Sequence, residues 1–458
     1  MTKMGRTIHQ SGADLVARFK NGSLTRRQLI QGAIASLAGA AVTPPALASN
    51  LVAAGLAPPV QRQSDVEPIN PIEQNLNVVY GRTTIPAGIR SRFVNNGNGL
   101  TMHVLEAGFE DNGRPCILLL HGYPELAYSW RKTMLPLAQA GFYVVAPDQR
   151  GYGRTEGWDA DYDGDVDSFR FLNLVRDTYG LVSALGYRSV AAVVGHDFGS
   201  LLAGWCTLIR PDVFRATVLM SAPFPGPPLL PSNPVNASLP DMLWSDSNLY
   251  DELAALSRPR KYYRQYYSTP EADNNMCNCP QGIHNFLRAY YHVKSADWKQ
   301  NKPFRLQFQN ATEMAKLPPY YVMDLDKGMA ETVAPEMPSA SAIATCKWLP
   351  DDALRVYSTE FGRTGFQGGL QWYRCLTDPK YRPELEVFSD LTIDVPSCFI
   401  AGTSDWAAYQ NAGHLERMQN MTCRQMFGVH FVEGAGHWVQ QEQPESFNKL
   451  LLQFLQQV

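Results

Sequence analysis

Short apolar runs alternate with helical stretches along much of the chain, and this alternation constrains the fold more than any other feature. The runs are strand-like in length and composition, and they occur at residues 117–120, 142–146, 190–194 and 216–220. Helical stretches separate them near 130–140, at 169–185 and near 200–209. This βαβα rhythm predicts an α/β fold with a mostly parallel sheet covered on both faces.

The rhythm stops near Phe224 and resumes only near the end of the chain. Further apolar runs lie at 398–401 and 426–432, and a closing amphipathic helix is predicted at 444–455. The intervening residues are rich in Pro, Tyr and Trp and are mostly helical or irregular in pattern. We therefore predict one core in two parts, with a large, mostly helical cap inserted between them. The predicted bounds are 72–224 and 385–458 for the core and 225–384 for the cap.

The first fifty residues differ from the rest of the chain. Residues 1–27 carry six Lys or Arg residues against the single acid Asp14. The pair Arg26-Arg27 precedes an Ala/Gly-rich apolar stretch that ends in the sequence ALA at Ala46. This pattern predicts a twin-arginine-like export signal at 1–48, followed by a linker at 49–71 and a periplasmic or secreted mature protein. An ordinary amphipathic N-terminal helix is the alternative. The stretch is too short and too rich in Gly and Ala to span a bilayer.

Charge and cysteine content exclude some classes of partner. The chain has 40 Lys+Arg and 43 Asp+Glu, a net charge of −3, which argues against a nucleic-acid-binding protein. Four of the eight cysteines lie in the polar middle region, where export would permit a disulfide: Cys277, Cys279, Cys346 and Cys375. Cys277 and Cys279 have no accompanying Cys or His pair, so no metal site is predicted.

The run at 190–194 is followed by the sequence GHDFG, which begins at Gly195. A G-x-x-x-G frame in this place is typical of a nucleophile elbow, because its glycines permit a tight turn that raises the middle side chain above the sheet. The middle residue is Asp197, and a carboxylate with an ordinary pKa of about 3.9 is already a nucleophile at neutral pH. The alternative is that Asp197 caps a helix beginning near Ser200.

Two further polar groups follow later apolar runs. Asp405 comes after the run at 398–401, and His437 comes after the run at 426–432, within the sequence GAGH. The order of nucleophile, acid and histidine is that of α/β-hydrolases. The alternatives are a turn or N-cap role for Asp405 and a surface loop for His437.

The sequence HGYP, which begins at His121, directly follows the run at 117–120. In this fold the corresponding loop supplies one backbone N–H of the oxyanion hole, and the residue after the nucleophile supplies the other. Tyr123 and Phe198 would be these two donors. An ordinary proline turn is the alternative.

Together these motifs resemble the α/β-hydrolase fold epoxide hydrolases. The sequences HGYP at 121–124, DQRGYGRT at 148–155, GHDFG at 195–199 and GAGHW at 434–438 are similar to the motifs of that family. The resemblance covers about 93–224 and 396–458. It implies an enzyme that opens a small hydrophobic epoxide with water to a vicinal diol through a covalent alkyl-Asp ester. It implies no metal and no organic cofactor.

The resemblance also implies two cap tyrosines that protonate the departing oxygen, since a phenol is a reasonable acid for an alkoxide. Tyr263 lies in YRQYYSTP, similar to the family pattern Tyr-x-x-x-(Phe/Tyr)-x-x-Pro, and Tyr373 lies in GGLQWYR, similar to a second family pattern. Glu271 departs from the family, which has glycine there, and residues 276–356 match no family motif. Other tyrosines could replace Tyr263 as the donor: Tyr262, Tyr266, Tyr267, Tyr320 and Tyr321.

The same motifs are partly shared with haloalkane and fluoroacetate dehalogenases, which also use an Asp nucleophile. A dehalogenase would hold a halide with a Trp or Arg beside the nucleophile, where this chain has Phe198. A haloalkane or haloacid dehalogenase and a non-catalytic ligand-binding relative are therefore the alternatives to an epoxide hydrolase.

Overall fold

An eight-stranded sheet forms the centre of the protein in a computed structural model, which describes residues 80–111, 113–230 and 247–458. The strand order is β1-β2-β4-β3-β5-β6-β9-β10. The strands are β1 (Ile89–Asn95), β2 (Thr101–Ala107), β3 (Cys116–Leu120), β4 (Tyr143–Pro147), β5 (Ala192–His196), β6 (Thr217–Met220), β9 (Ile393–Gly402) and β10 (Cys423–Val432). All pairs from β4 to β10 are parallel, and β2 joins both β1 and β4 in antiparallel pairs.

Helices flank the sheet and are also the main regular structure in the described part of the insertion between β6 and β9. They are α1 (Met134–Gln139), α2 (Phe171–Ala184), α3 (Phe198–Ile209), α4 (Ser247–Ala254), α5 (Tyr263–Tyr267), α6 (Glu271–Cys277), α7 (Gly282–Lys294), α8 (Ala311–Met314), α9 (Met329–Val333), α10 (Ala340–Thr345), α11 (Asp351–Thr364), α12 (Gln367–Thr377), α13 (Arg382–Glu386), α14 (His414–Arg417), α15 (Val439–Glu442) and α16 (Pro444–Leu455). A two-stranded antiparallel sheet, β7 (Arg260–Tyr262) with β8 (Val322–Asp324), also belongs to the insertion.

The predicted fold class is confirmed, and each predicted strand is present with shifted bounds. The largest shift among the helices is at α1, which begins at Met134 and not near Trp130, and α3 begins at Phe198 and not near Ser200. Strands β1 and β2 were not predicted, because their polar residues do not resemble a buried strand. The cap bounds of 225–384 stay a prediction. The export signal and the linker lie outside the described residues and also stay predictions.

The first part of α12 is fastened to the loop after β4. A Cβ atom added to Gly151 would lie 2.4 Å from the Gly368 carbonyl oxygen, and one added to Gly368 would lie 2.2 Å from the Gly151 oxygen. Only residues without a side chain allow two backbones to approach so closely. Next to this contact, the indole N–H of Trp372 donates to the Arg150 carbonyl at 2.9 Å.

The cysteines of the described region form no disulfide. All eight cysteines lie in this region and all are free thiols, so the disulfide expected in the middle region is absent. The reason is local: Cys375 is buried in α12, whereas Cys277 contacts the Asp273 carboxylate within α6. No helix within the described residues is long and apolar enough to cross a membrane.

Candidate active site

The turn between β5 and α3 places Asp197 in a strained backbone conformation. Its φ of 55° and ψ of −116° lie in a region that residues with a side chain rarely adopt. The flanking glycines are required by space: a Cβ on Gly195 would lie 2.0 Å from the Gly199 carbonyl oxygen, and one on Gly199 would lie 2.3 Å from that of Leu120. The sequence GHDFG therefore folds into the sharp strand-to-helix turn of a nucleophile elbow.

The Asp197 carboxylate points away from the helix that it precedes. It makes no capping hydrogen bond, so the helix-cap alternative is not supported. Its Oδ1 atom accepts a hydrogen bond from the backbone N–H of Tyr123 at 3.1 Å, and its Oδ2 atom lies 3.4 Å from Nε2 of His437. Burial would raise the pKa of Asp197, but the contact with His437 and the charges of His437 and Lys294 lower it below its ordinary value. The carboxylate is therefore ionised at neutral pH.

His437 lies between two carboxylates and is only 1% exposed, so it is not a surface loop residue. Its Nδ1 atom lies 3.1 Å from Oδ1 of Asp405, and its backbone N–H donates to the Lys294 carbonyl at 2.8 Å. Burial and the Lys294 charge lower the pKa of His437, whereas Asp405 and Asp197 raise it more, so that the net pKa is raised. Asp405 thus orients the ring while Nε2 faces Asp197.

Two backbone N–H groups lie beside the elbow. The Tyr123 N–H already contacts the Asp197 carboxylate, as above. Phe198 is the first residue of α3, so its N–H has no partner within the helix. The HGYP turn itself is present too, since the Glu125 N–H donates to the Gly122 carbonyl at 3.0 Å. A Cβ on Gly122 would lie 2.5 Å from Cβ of Asp197, so the close approach of this loop requires glycine.

Tyr263 and Tyr373 meet above the elbow. Their ring centroids are 5.8 Å apart, and the Tyr373 ring lies 5.0 Å from that of Phe198 and 5.4 Å from that of Tyr123. Both tyrosines are buried. Burial raises the pKa of each phenol, and the negative charge of Asp197 raises it further. α5 and α12, which are more than a hundred residues apart in sequence, bring the two together.

Comparison with protein families places the chain in a known group. A family profile described as alpha/beta hydrolase fold matches residues 115–444. Epoxide hydrolase A of Mycobacterium tuberculosis is 31% identical over 363 residues, which cover 78% of this chain and 95% of that protein. The chain belongs to the epoxide hydrolase family of the α/β-hydrolase fold. Epoxide hydrolase B of the same organism is 29% identical over 369 residues, or 79% of this chain and 96% of that protein.

Solved structures of epoxide hydrolases have the same fold. The structure of an epoxide hydrolase from an endophytic Streptomyces has a TM-score of 0.64 and 29% identity, and the match covers 81% of this chain and 96% of that one. Potato epoxide hydrolase I has a TM-score of 0.59 at 28% identity, with 81% and 100% covered. The family and the hydrolase class predicted from the motifs are thus confirmed.

The other tyrosines that could be the donor have contacts of their own within the protein. Tyr267 also contacts Tyr373, at 5.0 Å between centroids, but its hydroxyl pairs with that of Tyr290 at 3.3 Å. The hydroxyl of Tyr266 donates to Asn275, and that of Tyr320 donates to Asn301. Tyr262 and Tyr321 pack their rings against Tyr263. The contact of Tyr263 with Tyr373 agrees with its choice as the first cap tyrosine, which stays a prediction.

Sequence reasoning missed a buried pair behind His437. Nδ1 of His196 lies 2.9 Å from Oε2 of Glu125, and its Nε2 lies 2.7 Å from the His437 carbonyl oxygen. The side-chain amides of Gln440 and Gln441 donate to the same Glu125 carboxylate. Both residues adjoin predicted motifs, because Glu125 follows HGYP and His196 precedes the nucleophile. Their adjacency to motifs was the signal that could have found them.

A buried cation near the site gave no local signal in the sequence. Lys294, at the end of α7, is 4% exposed, and its ammonium lies 4.9 Å from the ring centroid of Tyr321 and 5.2 Å from that of Tyr290. Burial lowers its pKa, whereas the charges of Asp197 and Asp405 oppose that effect. Lys294 thus places a positive charge close to both carboxylates of the site.

Proposed function

We propose that the protein is an epoxide hydrolase that converts an epoxide to a vicinal diol through a covalent ester on Asp197. The single observation that carries the proposal is the setting of the Asp197 carboxylate. It is ionised, is held by the backbone N–H of Tyr123, and makes no bond to its own helix. A carboxylate in that setting is a nucleophile that requires no base.

In the first half-reaction, Asp197 attacks an oxirane carbon and the carbon–oxygen bond of the ring breaks. The departing oxygen is an alkoxide unless it receives a proton, and Tyr263 and Tyr373 lie close to the carboxylate to supply hydrogen bonds and that proton. Positioned acids of this kind accelerate such steps by about 10²–10⁴-fold.

In the second half-reaction, His437 activates a water that attacks the ester carbonyl. Formation of the ester removes the negative charge of Asp197, which is one of the two groups that raise the pKa of His437. The imidazole is therefore more readily neutral in the ester than in the free enzyme, when a base is needed. The N–H groups of Tyr123 and Phe198 then stabilise the negative oxygen, a role worth about 10²–10³-fold per donor.

The surroundings of Asp197 favour an apolar substrate that releases no halide ion. Phe198, next to the nucleophile, packs its ring against Trp372 and Tyr373 and offers no side-chain N–H to an anion. Buried aromatic rings surround the two tyrosines. These features support a small hydrophobic epoxide as the substrate over a haloalkane or haloacid.

A single turnover in oxygen-18-labelled water tests the proposal, because water attacks the carbonyl carbon of the ester. The label should enter the Asp197 carboxylate and be absent from the first diol released. Label in that diol, with none in Asp197, would mean that water attacks the epoxide directly. Release of halide from haloacids or haloalkanes, with no turnover of epoxides, would instead favour the dehalogenase.

The variant His437→Gln separates the two halves. It should consume one equivalent of epoxide in a burst and then stall, and the intact mass of the protein should increase by the mass of the substrate. Asp197→Asn serves as the matched control and should show neither a burst nor a mass increase. Binding of epoxides without any turnover by the unaltered protein would favour a non-catalytic relative.

A further inference from the structure

Arg264 is a buried cation within the cap that the two half-reactions do not use. Its side chain is 7% exposed, and it follows Tyr263 directly in α5. Within residues 80–111, 113–230 and 247–458, no carboxylate forms an ion pair with it. A buried charge without an opposite charge is costly, so its retention calls for another partner.

That partner is the phenol of Tyr263. Nε–H of Arg264 donates to the Tyr263 oxygen at 3.3 Å, and the Tyr263 O–H donates to Oε1 of Gln410 at 3.2 Å. The guanidinium carbon lies 5.5 Å from the ring centroid of Tyr262 and 5.9 Å from that of Tyr263. The Tyr263 oxygen thus accepts from a cation, while its own proton bonds to Gln410 and has to turn away from that amide to reach another acceptor.

Tyr373 lacks this support. In the part of the chain that the structure describes, no side chain donates a hydrogen bond to its phenolic oxygen, and its ring packs against those of Tyr123, Tyr267 and Phe198. Loss of its proton would leave a buried phenolate that the charge of Arg264 reaches but to which no side chain among the described residues donates a hydrogen bond. The two phenols therefore differ in the cost of becoming negatively charged.

We propose that Arg264, through its hydrogen bond to the phenolic oxygen, makes Tyr263 the tyrosine that gives its proton to the departing epoxide oxygen, while Tyr373 only donates a hydrogen bond. Arg264 is thus a positioning residue that acts through Tyr263. The inference rests on the proposed function, since it assigns the acid of the first half-reaction.

The proton balance of this step closes without another reactant. As the Asp197–carbon bond forms and the ring carbon–oxygen bond breaks, the oxygen takes the Tyr263 proton and leaves a phenolate paired with Arg264. Hydrolysis of the ester through His437 regenerates the Asp197 carboxylate and releases one proton. That proton restores the phenol, so the net reaction adds one water to one epoxide.

The charges around Tyr263 agree with this assignment. Burial raises the pKa of Tyr263, the charge and hydrogen bond of Arg264 oppose that increase, and the carboxylate of Asp197 adds to it. The other titratable groups that face the ring are the phenols of Tyr262, Tyr267, Tyr321 and Tyr373. Arg264 is the only positive charge among these neighbours within the described residues. Charge-assisted bonds strengthen when the acceptor becomes anionic, so its effect is greatest after proton transfer.

The decisive measurement is the pH dependence of the ester-forming burst, followed in a stopped-flow instrument with an aromatic epoxide. Arg264→Gln should slow the burst by about 10–100-fold at neutral pH, and hydrolysis of the ester should keep its rate. Because Tyr263 must be protonated to act, the rate of the burst should fall at high pH, and this fall is the alkaline limb of its pH profile. Arg264 lowers the pKa of Tyr263, so loss of the cation should move the alkaline limb to higher pH. A general structural defect would lower both half-reactions and leave that limb in place.

Matched variants identify the route of the effect. In a Tyr263→Phe background, Arg264→Gln should have no further effect on the burst. Arg264→Lys keeps the charge and should leave the alkaline limb near its original pH. Arg258→Gln, a change to an exposed arginine paired with Asp324, should have no effect on the burst.

A measurement that leaves Arg264 intact covers the case in which its variants do not fold. Tyr263→Phe should abolish the alkaline limb, and Tyr373→Phe should keep it. Loss of the limb in Tyr373→Phe alone, or an unchanged burst in Arg264→Gln, would overturn the inference and leave the hydrolase proposal intact. Failure of the unaltered protein to turn over any epoxide would contradict the hydrolase proposal itself.

Discussion

At the scale of single residues, one oxygen of Asp405 has two partners. Oδ1 accepts the backbone N–H of Ala407 at 2.9 Å and faces Nδ1 of His437 at 3.1 Å. The two interpretations considered for this residue, a turn cap and the acid beside the histidine, are thus compatible. The backbone bond fixes the carboxylate, and the fixed carboxylate in turn orients the imidazole.

The charges around His437 predict that two substitutions shift its pKa in opposite directions. Lys294 lowers the pKa of His437 and Asp405 raises it, and Asp197 and His196 also lie next to the ring. Because His437 must be neutral to activate water, Lys294→Met should move the acid limb of ester hydrolysis to higher pH. Asp405→Asn should move it to lower pH and also slow the step. Single-turnover hydrolysis of the ester measured from pH 5 to 9 gives both shifts.

The exposed residue Lys299 provides a matched control for that experiment. Lys299→Met removes the same type of charge from an exposed side chain, where solvent screens it, so the acid limb should stay in place. A shift of equal size in Lys299→Met and Lys294→Met would show that the local burial of Lys294 is irrelevant.

Tyr373 provides a second prediction at this scale. Tyr373→Phe removes one hydrogen bond to the developing alkoxide and should lower the rate of ring opening by about 10²-fold, the size of one lost donor in an oxyanion site. The double variant with Tyr263→Phe should be nearly inactive. Thermal unfolding should change little, because the ring contacts of Tyr373 are retained. Undiminished ring opening in the single variant would remove Tyr373 from the site.

At the scale of elements, the loop that carries His437 is held by α15. The Glu442 carboxylate accepts the backbone N–H groups of Gly436 and Trp438, which flank the histidine, and also that of Ala296 after α7. One side chain therefore joins the loop of His437 to the segment that follows α7. Burial raises the pKa of Glu442 to about 7, although all three N–H groups oppose the shift.

Glu442→Gln tests this brace. The amide has one acceptor oxygen, so a buried N–H should lose its partner at a cost of about 1–3 kcal/mol. The raised pKa means that the folded state holds a proton between pH 4.5 and about 7, so the wild type loses stability relative to the glutamine variant as the pH rises through that range. In urea unfolding, the free energy of unfolding of the wild type should therefore exceed that of Glu442→Gln by more at pH 5 than at pH 8. Glu445→Gln, an exposed change in α16, should give none at either pH.

The elements show how far local sequence reaches. Strand β3 was predictable because all five of its residues are buried and apolar. Strand β2 was not, because it buries His103 and Glu106 as well. Their partners are distant: Asp148 for His103, and Arg90, Arg92 and Tyr143 for Glu106. A buried polar residue looks exposed in sequence until its partner is known.

At the scale of the whole molecule, the sequence predicted some residues of the candidate site and not others. Asp197, Asp405 and His437 were predictable because a parallel sheet collects the carboxyl ends of its strands at one edge. Lys294 was not, because it lies neither at a strand end nor within a motif. Arg264 was not, because it occupies a position that the family pattern around Tyr263 leaves open. Their roles depend on contacts made only when the cap folds over the core.

Export remains a prediction at this scale, because residues 1–79 lie outside the described structure. Replacing Arg26 and Arg27 with lysines should retain the precursor in the cytoplasm, if the pair is read as a twin-arginine signal. The unaltered chain should be cleaved near Ser49 and appear in the periplasm or medium. Cell fractionation followed by N-terminal sequencing measures both. Equal export of the two forms would contradict the prediction.

The close contact between Gly151 and Gly368 gives the two cap tyrosines different freedom to move. It attaches the helix of Tyr373 to the core, whereas the backbone N–H of Tyr263 bonds to Tyr321 within the cap. The Tyr373 helix should therefore behave as part of the rigid frame, and admission of substrate and release of diol should depend on the Tyr263 side. In hydrogen exchange, the amides of 367–377 should be as protected as those of the sheet, and those of 263–267 should exchange sooner. The mobile segment that admits substrate would then be the one that contains Tyr263, the proton donor. Tyr263 would reach its working position only when this segment closes over the site and excludes bulk water.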